Sequence, residues 1–189
     1  MSNDEFEKLL LTLKKAAAAL REEGIPFLLG GGLACWIRGG PESDHDLDLM
    51  LREQDAERAL DVLAREGMRP EKPPEGWLYK AWDDDVLVDL IFRPTGFAIT
   101  DEMIERGEDL EVVSTPMRVM LLEDVFVAKL LALDEHGLDY DSLLEMARPV
   151  REQVDWDEVR SRTAHSPYAK AFFTLVEELD VVDPPPTGK

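Results

Sequence analysis

The sequence predicts an α/β (α+β) fold, with strands and helices interleaved as far as Leu122 and a helical region after it. Three observations carry that expectation. Several long segments repeat apolar residues at helical spacing. Short apolar runs lie between them, and one, Asp46-Leu47-Asp48-Leu49, alternates with a period of two. From Glu123 onward only the helical period remains.

Taken in order, residues 4–23 place Phe6, Leu9, Leu10, Leu13, Ala17 and Leu20 on one helical face, with Ser2 and Glu5 as a capping box and Gly24 as the stop. Residues 26–29 read as a short buried strand, and 32–38 as a short helix ending at Gly39-Gly40-Pro41. In the strand at 45–51, Asp46 and Asp48 project from one face and Leu47, Leu49 and Leu51 from the other. An amphipathic helix at 53–66, through Ala56, Leu60 and Leu63, closes at Gly67. Residues 70–76, with three prolines and a glycine, read as a loop.

Strands at 77–82 and 86–92 flank Asp83-Asp84-Asp85, the pattern of an antiparallel hairpin with an acidic turn, and Pro94-Thr95-Gly96 ends that sheet. Residues 101–106 read as a helix and 110–113 as one more strand. Helices follow at 123–135, 140–148, 155–164 and 167–179, the last with Ser166 as cap and Pro167 in its first turn. The expected division is a core at 1–122, a helical region at 123–182 and a disordered tail at 183–189, where three prolines are consecutive.

Composition narrows the function. The chain carries 41 acidic against 21 basic residues, a formal charge of −20, which repels nucleic acid and attracts cations. Two readings of that surplus stand: solubility or an acid-rich source, and a polycationic substrate. The sequence has no apolar run of membrane-spanning length, and its N-terminus is acidic where a signal peptide would be basic, so the expected location is cytoplasmic. The single Cys35 cannot form an internal disulfide and reads as a small core residue.

Chemistry concentrates in three places. The turn Gly30-Gly31-Gly32 opens into a helix, and backbone N–H groups at a helix start favour anionic oxygens, so Gly31 and Gly32 are candidates to hold phosphate. Asp46 and Asp48 share a strand face and suit a hard divalent cation. Asp89 stands in Val86-Leu87-Val88-Asp89-Leu90-Ile91-Phe92, a run apolar on both faces, where an uncompensated carboxylate costs several kcal/mol. Were that strand beside the Asp46 strand, the three carboxylates would converge on one point.

Lys129 lies among Val125, Phe126, Val127, Ala128, Leu130 and Leu131, either as a snorkelling stem that reaches water or as a phosphate contact in the cleft. Asp139 and Asp141 read as cap and surface or as cleft lining. Trp77, Tyr79 and Trp82 read as core or as a platform for a base or sugar. His45, His136 and His165 are not at ligand spacing.

These residues resemble the minimal nucleotidyltransferases of the DNA polymerase β superfamily, whose signature is a Gly-Gly or Gly-Ser turn, then Asp-x-Asp on a strand, then a third Asp on a neighbouring strand. The resemblance rests on Gly31-Gly32-Leu33-Ala34, Asp46-Leu47-Asp48-Leu49 and Val88-Asp89-Leu90-Ile91-Phe92. It extends to the lysine-bearing helix Glu123-Asp124-Val125-Phe126-Val127-Ala128-Lys129-Leu130 of the aminoglycoside and lincosamide adenylyltransferase-like and toxin-like members. It implies a nucleotidyltransferase-type mixed sheet flanked by helices.

It also implies transfer of a nucleoside monophosphate from an NTP, ATP by preference, to an acceptor hydroxyl, with pyrophosphate released. Two Mg²⁺ ions would be held by Asp46, Asp48 and Asp89, with Asp89 sharing the second ion or acting as general base, and Gly31, Gly32 and Lys129 would contact phosphate. The chain departs from the toxin-like pattern in carrying Glu42 and Asp44 where an Arg and a Thr often precede the Asp pair. Asp44 also opens a second register, Asp44-x-Asp46. The acidity favours a small cationic, aminoglycoside-like acceptor. The alternatives are a toxin-antitoxin-type enzyme modifying tRNA or protein, for which Arg148 and Arg151 are the sole basic hint, and a non-catalytic nucleotide-binding or regulatory module.

Overall fold

The computed structural model describes residues 3–42 and 46–184. Ser2, Asp44, His45 and the last five residues lie outside the described residues, and with them the capping box, the second metal register and most of the proline tail. The chain runs α1 (Asn3–Glu22), β1 (Leu28–Leu29), α2 (Gly31–Trp36), β2 (Asp46–Met50), α3 (Glu53–Arg65), β3 (Arg69–Glu71), β4 (Leu78–Asp83) and β5 (Val86–Ile91). It continues through α4 (Asp101–Arg106), β6 (Glu108–Val112), β7 (Thr115–Val119), α5 (Leu122–Ala132), α6 (Tyr140–Val150), α7 (Trp156–Thr163) and α8 (Pro167–Glu178), with a 3-10 turn at Arg151–Gln153.

The strands form one mixed sheet in the order β3-β4-β5-β2-β1-β7-β6. β2 and β5 run parallel, because α3, β3 and β4 carry the chain between them, and the other neighbours pair antiparallel except β1 with β7. Helices α1 and α3 pack on each other and on the sheet, while α2 bridges the sheet to α5 and α6. The core is rich in leucine, with Leu13, Leu20, Leu28, Leu29, Leu47, Leu49, Leu51 and Leu63 fully buried. The alternation that sets Asp46 and Asp48 against Leu47 and Leu49 thus has its apolar side in the core.

Two strands depart from the sequence expectation. Residues 69–71 form β3, although Pro70 argued for a loop; β3 is the sheet edge, where a missing N–H breaks no ladder. Residues 115–119 form β7, a hairpin partner for β6 that turns through Val113 and Ser114 at φ 49° and 59°. Such a turn usually advertises itself with Asn or Gly, and here it does not. The acidic hairpin forms as expected, with Asp84 at φ 54° in its two-residue turn. Four helices begin with side-chain caps, from Thr100, Asp139, Asp155 and Ser166.

Candidate active site

Register brings the three aspartates together. In the parallel β2–β5 pair Asp48 stands directly opposite Asp89, and Asp46 lies two residues along β2 on the same face. One carboxylate oxygen from each lies within 4.8 Å of the others. An all-oxygen donor set of this size suits a hard divalent cation.

The glycine turn contributes in a way the sequence did not reveal. Gly31 adopts φ +55°, and a Cβ there would lie 1.6 Å from Asp48 Oδ2. The space a side chain would fill is occupied by the Asp48 carboxylate. Gly31 is therefore required by the aspartate, and the Gly30 N–H donates to the Asp48 carbonyl at 2.8 Å to fix the strand there. Gly32 lies beyond, facing the cleft.

Two cavities flank the carboxylates, and Asp46, Asp48 and Lys129 line both. One, of about 300 Å³, is polar and adds Gly32, Pro41, Glu42, Asp139, Ser142 and Glu145. The other, of about 410 Å³, holds Asp89 among Met50, Trp77, Ile91, Pro94, Val125 and Ala128. Lys129, half-buried on α5, thus faces the cleft. Asp139 does two things, lining the polar cavity and accepting the Ser142 N–H at 3.2 Å as the cap of α6. Asp141 is exposed and lines neither cavity.

Charge is in deficit here. Burial raises the Asp48 carboxyl to about 7; the Asp46 charge adds to this, and Lys129 opposes it. Asp89, 8% exposed, is also raised by burial, and Lys80 opposes the rise. Lys80, across the hairpin on β4, puts Nζ 3.2 Å from Asp89 Oδ1. The apolar run around Asp89 demanded a compensating cation, and part of that cation is this lysine, which the sequence reading passed over. The hairpin turn already contained the signal: a two-residue turn at Asp84-Asp85 sets Lys80 opposite Asp89.

The aromatic candidates separate. Trp77 is 40% exposed on the wall of the Asp89 cavity. Tyr79 packs edge-on against Phe92, with centroids 5.0 Å apart. Trp82 differs from both in parity along the strand; its indole donates to Glu71 at 3.0 Å and Arg69 covers its ring. No shared aromatic stripe forms among them, because residues 79 and 82 lie on opposite faces. Cys35 is buried and its thiol is pushed up to about 11 by burial, which leaves it inert. His136 and His165 are exposed, and so are Arg148 and Arg151, the latter paired with Glu152.

The architecture is that of the nucleotidyltransferase fold. The antibiotic-resistance factor ANT(2'')-Ia in solution matches with a TM-score of 0.64 and 18% identity, over 92% of this chain and 97% of that one. The crystal structure of ANT(2'')-Ia with adenylyl-2''-tobramycin matches at 0.63 and 19%, over 88% and 97%. The lincomycin-bound lincosamide antibiotic adenylyltransferase LnuA matches at 0.51 and 11%, over 83% and 98%. At these identities the likeness is one of fold. No curated protein matches the chain. The chain belongs to the family described as uncharacterised nucleotidyltransferase, which matches residues 4–177.

Proposed function

We propose that the protein moves a nucleoside monophosphate from an NTP, most readily ATP, to a hydroxyl of a small-molecule acceptor in the cytoplasm, releasing pyrophosphate. The observation that carries this reading is the convergence of Asp46, Asp48 and Asp89 beside an open cleft in a member of this family. Mg²⁺ would be held by Asp46 and Asp48, with a second ion shared by Asp89. When bound, the ions neutralise the triphosphate and the charge that develops on transfer.

The protein's own groups do the rest. Asp89 takes the proton of the acceptor hydroxyl, whose oxygen then bonds to the α-phosphorus as the bond to pyrophosphate breaks. Burial makes Asp89 a stronger base than a surface carboxylate, which suits that role. Lys129 lies where it can meet phosphate oxygens, and the backbone at Gly31-Gly32 borders the same space. Residues 1–122 act as the catalytic core, while the helices of 123–182 close the cleft with Lys129 and Asp139.

Glu42, Asp139 and Glu145 on the polar side favour a cationic, aminoglycoside-like acceptor. The apolar wall around Trp77 supports a second acceptor class, an uncharged compound with an apolar body. Pyrophosphate release measured with each NTP across both classes tests the assignment. Asp89→Asn should lower turnover by about 10²–10⁴-fold in a protein that a cooperative melt shows to be folded. Wild-type turnover in that variant, or no release with any pair, would sink it.

A further inference from the structure

Across the sheet face that carries the carboxylates, register sets four charged residues in a row. Asp48 on β2 stands opposite Asp89 on β5, Asp89 opposite Lys80 on β4, and Lys80 opposite Glu71 on edge strand β3. Directly opposed residues share a face and lie within side-chain reach. The lysine is partly buried with its partner, the side-chain exposures being 25% for Lys80 and 12% for Asp89.

We propose that Lys80 is a positioning residue that serves as the resident counter-cation of Asp89, and that a divalent cation entering the triad must displace its ammonium, which then turns to Glu71. This rests on reading the triad as a metal site. An ammonium and a divalent cation held by the same carboxylate repel each other, and on this proposal that repulsion drives the Lys80 ammonium from Asp89 Oδ1. Glu71 is the landing point because it follows Lys80 in the row and is itself fixed, accepting from the Trp82 indole at 3.0 Å with Arg69 at 3.5 Å.

The arrangement has a chemical use. Without metal the Asp89 carboxylate is held in place by the Lys80 ammonium at 3.2 Å. The same lysine weakens capture of a bare cation, so the metal enters best with the negative charge of a triphosphate beside it. Lys80 thereby selects the metal–nucleotide complex over free metal.

The test is a Mn²⁺ titration followed by electron paramagnetic resonance, without nucleotide, at fixed pH and ionic strength, on wild type, Lys80→Met and Lys80→Arg. Loss of one charge-assisted contact that the metal must otherwise break corresponds to a gain of about tenfold in Mn²⁺ affinity for Lys80→Met, and Lys80→Arg should return the wild-type value. Equal or weaker binding by Lys80→Met, with an unchanged melt, overturns the role of Lys80 alone. Absence of Mn²⁺ binding in both wild type and Lys80→Met overturns the metal site itself. Where Lys80→Met fails to fold, Lys80→Gln carries the same measurement.

Discussion

Two buried acidic positions in this molecule are neutralised in opposite ways. Asp124, 1% exposed at the start of α5, receives Arg106 of α4 at 2.5 Å and Arg162 of α7 at 2.7 Å. Two permanent cations meet one anion, and the cluster ties three helices together. At the cleft, Lys129 and Lys80 lie beside the Asp46, Asp48 and Asp89 carboxylates, and burial, which the two lysines only partly oppose, makes Asp48 and Asp89 hold their protons more tightly. The lesson is one of arithmetic. Where two arginines meet one carboxylate, the carboxylate ties helices together; where three carboxylates crowd one point, the donor set is compatible with a cation from outside.

The contrast can be broken most visibly at Asp124. Asp124→Ala leaves both arginines without their shared anion, and because Arg106 and Arg162 retain some solvent contact the expected loss is about 3 kcal/mol in urea denaturation. A loss within experimental error would mean that the cluster does not hold the helices.

Asp48→Asn should act in the opposite direction. With its pKa raised from 3.8 to about 7, the folded metal-free protein favours protonated Asp48. The associated stability is complete below the unfolded pKa and is lost as pH rises through about 7. An asparagine stays neutral, so the metal-free variant should be more stable than wild type at pH 8, by about 1–2 kcal/mol after allowing for the open cleft, and equal to it near pH 4. Denaturation curves at both pH values decide the sign. The same linkage predicts that wild-type Mg²⁺ affinity climbs between pH 5 and pH 8, because the metal needs the ionised form.

Gly31→Ala sharpens the comparison at smaller cost. The new Cβ and the positive φ together should destabilise the fold by about 1–2 kcal/mol. Displacing the Asp48 carboxylate should also weaken Mn²⁺ binding, while Gly24→Ala, at a left-handed position with open space, should cost stability and leave metal affinity unchanged. Metal affinity equal in the two variants would remove Gly31 from the site.

How much of this was legible in the sequence follows from what each signal depends on. Asp46, Asp48 and Asp89 could be grouped because period-two alternation and a charge inside an apolar run are both local patterns. The helices of the second half were legible for the same reason, and Ser166-Pro167 marked a start that the structure shares. Lys80 escaped because Tyr79-Lys80-Ala81 looks like any polar position on a strand until the hairpin register is followed through its turn. Gly31 reads locally as a phosphate cradle, and nothing local says that the space of its missing Cβ is filled by Asp48 from β2. Strand β7 was missed because Val113-Ser114 adopts left-handed geometry without a glycine. Asp124 lies within a helix motif that the sequence displays, yet its arginine partners come from helices far apart in sequence.

The two borders of the sheet have a consequence for how copies of this chain meet. A border strand exposes unpaired backbone groups and invites another strand to dock. Here one border is Arg69-Pro70-Glu71, all exposed, and the other begins Glu108-Asp109-Leu110-Glu111. Proline withholds a donor on one side, and on the other Glu108 and Asp109 are paired with Arg38 and Arg118 while Glu111 stays exposed. Charged, exposed side chains at both borders thus disfavour the addition of a strand from another copy.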